Sequence, residues 1–242
     1  PLLTLLAMAG TLHAAEAQVA VAANFAEPIK AVAAVLEKRT GHTLRITVGS
    51  TGRLYAQIRN GAPFDVLLAA DTKTPAQLEA DGLAQPGSRF TYATGQLVLW
   101  SADPARVDAQ GAVLKSDGFR KLAIANPKTA PYGAAAVEAM DKLGLTTALT
   151  PRLVQGESIG QTYNFVFTGN AEIAFVAMSQ VLEGGRLKGG SMWVVPQDLY
   201  APIRQDAVLL QRAAGNEAAL ALMKLLQSPD TKALIRSFGY GV

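Results

Sequence analysis

The sequence predicts an α/β protein of two lobes, with one lobe inserted into the other. Two observations carry this expectation. Short apolar runs alternate with amphipathic helical runs, in the βαβα order of a mainly parallel sheet covered by helices. The stretch from about 100 to 200 repeats that order, and extended segments near 94–101 and 199–209 lead into it and out of it. The chain has 242 residues, enough for two cores of ordinary size. Residues 18–97 with 205–242 are expected to form lobe I and residues 98–204 lobe II. A double crossover of this kind makes a hinged cleft.

The elements follow in order. Gln18 to Ala23 reads as a buried strand. Asn24, with Glu27 three residues on, has the form of a capping box opening a helix to about Arg39. Leu44–Val48 alternates as a strand, Gly49-Ser50-Thr51-Gly52 turns, and a helix covers Arg53–Asn60. Phe64–Ala69 is a strand and Pro75–Asp81 a helix. Gly95–Ser101 is strongly apolar and extended. A short helix and a strand are expected within 118–126, a loop over Pro127–Gly133 and a helix over Ala134–Leu143. A strand at Leu153–Gln155, a helix at Ser158–Thr168 and strands at Ala171–Met178 and Met192–Pro196 complete the second block. Ile203–Leu210 returns the chain, the last helix covers Asn216–Gln227, and Asp230–Phe238 closes the chain.

Composition narrows the function. Half the residues are hydrophobic and 17% are charged, which suits a folded globular chain. The net charge of +3 comes from 22 basic against 19 acidic residues, with no basic block, so a nucleic-acid partner is not expected. The chain has no cysteine, which removes thiolate catalysis and disulfides. The first residues, PLLTLLAMAG followed by small residues, have the form of an export-signal core. Residues 1–17 are expected to be its remnant, with cleavage at the A-x-A sequence before Gln18.

Several places share one design, in which a strand ends, a small or hydroxyl residue follows, and a helix begins. They are Ala22-Ala23-Asn24, Gly49-Ser50-Thr51-Gly52, Pro131-Tyr132-Gly133 and Glu157-Ser158-Ile159-Gly160. A helix N-terminus offers unpaired N–H groups and partial positive charge, so several aimed into one cleft make an anion site without lysine or arginine. Each turn alone is more often plain structure; their joint occurrence on both lobes is the signal.

Those same segments carry a resemblance. VAVAANFAEPIKAVAAVLEKRTG, GSTGRLYAQIRNGAPFDVLLAAD, NPKTAPYGAAAVEAMDKLG, ESIGQTYNFVFTGNAEIAFV and the terminal SPDTKALIRSFGYGV resemble the periplasmic molybdate-binding proteins of ABC importers, over about 18–242. The resemblance implies a type II periplasmic binding-protein fold and capture of molybdate or tungstate for a membrane permease. It implies no catalysis and no cofactor, with molybdenum present only as the bound oxyanion. A periplasmic, monomeric protein is expected. By resemblance the oxyanion contacts fall on Asn24 with Ala23 beside it, on Ser50 or Thr51, on Tyr132, and on Ile159 through its backbone N–H. Some relatives use a tyrosine in the strand after the later helix; here Ala177 stands there, and Tyr132 or Tyr163 is the candidate replacement.

Other readings compete. A sulfate-binding protein of the same architecture would share the turns. An enzyme on a related two-lobed fold would need acid–base groups at the cleft. His42 is the single histidine after residue 17, and Asp65 and Asp71 flank a strand, with Asp71 expected as a helix cap or hinge hydrogen-bonder. Trp100 and Trp193 lie in apolar strands and are expected in the core.

Overall fold

The computed structural model describes residues 14–242. β1 (Glu16–Ala22), α1 (Ala26–Thr40), β2 (Thr43–Gly49), α2 (Thr51–Arg59), β3 (Val66–Leu68), α3 (Lys73–Ala80) and β4 (Phe90–Gly95) open lobe I. Lobe II follows: β5 (Leu97–Ser101), β6 (Leu122–Ala125), α4 (Pro131–Lys142), α5 (Thr146–Leu149), β7 (Leu153–Gly156), α6 (Ile159–Phe167), β8 (Ile173–Ala177) and α7 (Met178–Val181). A small hairpin of β9 (Leu182–Glu183) and β10 (Arg186–Leu187) precedes β11 (Ser191–Val194), which completes that lobe. β12 (Ile203–Leu209), α8 (Glu217–Leu226) and α9 (Pro229–Ser237) return to lobe I.

Each lobe is built on a five-stranded sheet, ordered β2-β1-β3-β12-β4 in lobe I and β11-β5-β8-β6-β7 in lobe II. β1 lies parallel between β2 and β3, which is why its stretch from Val19 to Val21, paired on both sides, is wholly apolar and buried. β2 is the edge, and Thr43, Arg45 and Thr47 face solvent from it. α1 stops where Gly41 takes a left-handed conformation at φ 74°. Asn216 and Ser228 cap α8 and α9 with their side chains. Trp100 and Trp193 are buried, as expected.

The crossovers are tighter than the sequence suggested. A strand over Phe90–Gly95 was not anticipated, and Gln96 alone separates it from β5 in the other sheet. A lobe boundary at 97/98 therefore cuts β5, and one at 204/205 cuts β12, whose whole length pairs within lobe I. β12 also carries a bulge between Gln205 and Asp206, and both side chains are buried. A bulge lets neighbouring residues face the same way and re-aims the strand.

Of the expected export segment, residues 1–13 lie outside the described residues. Glu16 and Ala17, by contrast, belong to β1, paired with Thr43 and Leu44, and Ala17 is fully buried. Just ahead of them the Ala15 N–H donates to His42 Nδ1, and the Ala15 carbonyl accepts from Thr43. Among the described residues no helix is long and apolar enough to cross a membrane.

Candidate oxyanion site

The carboxyl ends of β1, β2, β6 and β7 point into the cleft between the lobes, the usual place for a ligand in an open α/β sheet. After β1, Ala23–Phe25 makes one turn of 3-10 helix. After β2, Ser50 leads directly into α2. In lobe II, Pro131 at the first position of α4 fixes the backbone for helix entry, and Ser158 caps α6 by accepting from Gln161 N–H. The loop expected over Pro127–Gly133 is thus shorter, because α4 already begins at Pro131.

These turns enclose a small cavity of about 10 Å³ lined by Ala22–Asn24, Ser50, Thr51, Ala70, Ala130–Tyr132 and Ile159. Every residue proposed from the sequence, Ala23, Asn24, Ser50, Thr51, Tyr132 and Ile159, lies on its wall. Drug-sized ligands occupy roughly 300–1,000 Å³, so this closed space excludes them by a wide margin. No lining residue is charged. The N-termini of α2, α4 and α6 converge here, and N–H groups in a helix's first turn have no partner within the helix.

The hydroxyls divide the work. Thr51 Oγ1 accepts from the Ala70 N–H at 3.0 Å, which leaves its own proton to donate. Ser50 is only 4% exposed, and its Oγ has no hydrogen-bond partner. An unpaired buried hydroxyl costs roughly 1–3 kcal/mol, so a wall that carries one is shaped for something that accepts from it.

The lobes are shut over this cavity. Gly52 N–H of lobe I donates to the Thr129 carbonyl of lobe II at 2.9 Å, and Ser179 Oγ donates to the Asn24 carbonyl at 2.7 Å. Arg53 and Glu157 meet across the rim at 3.7 Å with both side chains exposed. Glu157 is therefore on the surface, and no carboxylate lines the cavity.

A family model described as bacterial extracellular solute-binding protein matches residues 17–241. The molybdate-binding protein ModA of Azotobacter vinelandii is 58% identical, over 97% of this chain and 93% of the relative. That of Rhodobacter capsulatus is 55% identical, over 94% and 88%. A solved periplasmic molybdate-binding protein from Azotobacter vinelandii superposes with a TM-score of 0.91 at 42% identity, covering 93% of this chain and 99% of that one. The chain belongs to the molybdate-binding protein family.

Within this family member, two expectations drawn from the sequence need correction. Asn24 is not a helix cap: α1 begins after it with no side-chain cap, and the Asn24 amide donates instead to Gln205 Oε1 at 2.8 Å and to the Tyr240 hydroxyl at 2.9 Å. Both amide protons are thereby used, and what the Asn24 turn has left for a ligand is backbone. Tyr163 does not stand in for the tyrosine missing at Ala177, since it stacks on Trp100 with ring centres 4.9 Å apart, away from the cavity.

The sequence reading also missed what lies beneath the cavity. Tyr240 is 2.9 Å from Ser179 Oγ, and Gln205 Oε1 is 3.1 Å from the Tyr92 hydroxyl. Gln205 Nε2 donates to the Tyr132 hydroxyl at 3.1 Å. Burial holds the Tyr92, Tyr132 and Tyr240 phenols well above the ordinary tyrosine range, so all three remain protonated. Asp71 accepts from the N–H and hydroxyl of Thr74 in the first turn of α3, while burial raises its carboxyl. His42 sits on the far side, against Ala15.

Proposed function

We propose that the cavity binds one molybdate or tungstate dianion, and that the chain, acting as an exported monomer, presents it to the membrane permease of an ABC importer. The observation that carries this reading is the buried, unpartnered Ser50 hydroxyl in an uncharged cavity where three helices begin. A fully deprotonated tetrahedral oxyanion offers only acceptors, and this wall offers donors. Ser50 and Thr51 give hydroxyl protons, and Tyr132, Ile159 and the Ala23–Asn24 turn give backbone N–H groups. Molybdenum enters only as the centre of the anion, and no cofactor is needed. Phosphate carries a proton near neutrality and requires an acceptor, which an uncharged wall with no carboxylate serves poorly. Sulfate matches the charge and is smaller, so the fit of the closed cavity must reject it.

The family membership and the names of the relatives support molybdate in particular. An enzyme on this fold would place acid–base groups at the cavity, and none lines it. Calorimetric titration of the ligand-free protein with molybdate, tungstate, sulfate and phosphate tests the reading. Molybdate and tungstate should bind one per chain, with sulfate and phosphate weaker by about 3 kcal/mol, roughly a hundredfold. Equal sulfate affinity would reassign the ligand, and binding of no oxyanion would remove the proposal.

A further inference from the structure

The Tyr132 side chain does not stay in its own lobe. Its backbone lies at the start of α4 in lobe II, but its hydroxyl reaches the two strands of lobe I that form the hinge. One is β12, where Gln205 donates to it. The other is β4, whose last residue, Gly95, leaves the space it fills. A Cβ on Gly95 would lie 2.0 Å from the Tyr132 hydroxyl, 2.8 Å from its Cζ and 2.6 Å from Gln205 Nε2. Gly95 does not have a positive φ, so its backbone does not require glycine; the space for the phenol does. Gln205 is fully buried and reaches this point because of the bulge beside it. Its carboxamide is bifunctional, with Oε1 accepting from Asn24 of the first-lobe turn and Nε2 donating to Tyr132 of the second. One side chain in the hinge thus touches the ligand-facing segment of each lobe without touching the cavity.

We propose that Gly95 and Gln205 form a seat for the Tyr132 hydroxyl that is filled only when the lobes close. Seating the phenol then places the Tyr132 N–H and the Asn24 turn at the oxyanion. Both are positioning residues, and the inference rests on the oxyanion reading of the cavity. The seat links the two lobes at the hinge, while Gly52–Thr129 and Arg53–Glu157 join them at the rim. When the lobes part, Tyr132 travels with lobe II and leaves the seat empty, so an added methyl at Gly95 then meets only the far end of the Gln205 side chain, which can shift into the vacated space, whereas in the closed form it meets the phenol as well.

The test uses the full chain and molybdate as the probe. Gly95→Ala should weaken molybdate binding by at least about tenfold, 1.4 kcal/mol, while the melting temperature of the ligand-free protein stays near that of the parent. Small-angle scattering should show the variant failing to contract at a molybdate concentration that closes the parent. Adding Tyr132→Phe removes the atom in the closest clash and should recover part of the affinity. Gln205→Met, which adds no bulk at Gly95, should also weaken binding more than it lowers the ligand-free melting temperature. Parent-like affinity in both Gly95→Ala and Gln205→Met overturns the proposal. So does a Gly95→Ala chain that fails to fold, because the phenol would then occupy the seat with the lobes apart. A double variant weaker than Gly95→Ala alone overturns it as well. A parent protein that binds no oxyanion instead overturns the reading of the cavity.

Discussion

Two buried polar regions lie against each other in this molecule, and they differ in one respect. In the hinge network, Asn24, Ser179, Gln205 and Tyr240 donate to one another, to the Tyr132 hydroxyl or to backbone, and each of the four side chains has a partner. In the cavity above it, Ser50 Oγ has no partner, and three helix N-termini meet with no anionic side chain to face them. A complete network rigidifies, because every member would lose a partner by moving. An incomplete one marks where a guest belongs. Asn24 stands on the boundary, with its side chain in the first region and its turn on the wall of the second.

The comparison can be broken most severely from below. Gly133 lies in the first turn of α4, and a Cβ there would sit 2.2 Å from the Ala125 carbonyl oxygen, a backbone atom with nowhere to go. Gly133→Ala should cost about 1–3 kcal/mol or more of stability and displace the α4 N-terminus, abolishing tight binding; thermal melts and titration read the two effects together. Thr51→Val strikes the scaffold and the cavity at once, since it strips the Ala70 N–H of its acceptor and the cavity wall of a donor. Ligand-free stability and molybdate affinity should each fall by about 1–3 kcal/mol. Ser50→Ala sharpens the contrast, because its hydroxyl has no partner within the protein. Affinity should fall by a similar amount, about 1–3 kcal/mol, with the ligand-free melting temperature unchanged or slightly raised. A ligand-free Ser50→Ala protein that melts well below the parent would place that hydroxyl in the scaffold after all. The smallest effect belongs to the rim. Arg53 and Glu157 are both exposed, so Glu157→Gln should shift affinity by no more than about 1 kcal/mol, and by less as salt is added.

Much of this site was legible in the sequence, for a local reason. A strand end, a small or hydroxyl residue and a helix start lie close together along the chain, so the turns that hold Ser50, Thr51, Tyr132 and Ile159 show in the local pattern, while the choice of residue within each turn rests on the resemblance. The hinge network was not legible because its partners are distant along the chain: Asn24 meets Gln205 across 181 residues and Tyr240 across 216. Asn24 also misled, since Asn-x-x-Glu is a local capping pattern and the buried tertiary partners outbid it. The fold shows the same division. Most strands and helices were found within a few residues, whereas the run from Phe90 to Ser101 concealed a change of sheet, because continuous β-forming residues say nothing about which partner each half chooses. Cleavage before Gln18, expected from the A-x-A sequence, would remove Ala17, which faces a core from β1. N-terminal sequencing of mature protein should therefore find Ala15 retained, with its bonds to His42 and Thr43 intact.

The position of β12 has a consequence for how the molecule is made. It lies between β3 and β4 in the lobe I sheet, yet it is the last strand in the chain. All strands of lobe II are available once residue 194 has emerged, and they can pair while lobe I still lacks the strand that joins β3 to β4. Until β12 arrives, β3 presents an open edge and β4 has no neighbour in its sheet. The inserted lobe can finish first, and the enclosing lobe must wait for a long-range pairing, the slow kind of step in folding. While the chain folds, the half-built sheet of lobe I is thus the part most exposed to misassembly.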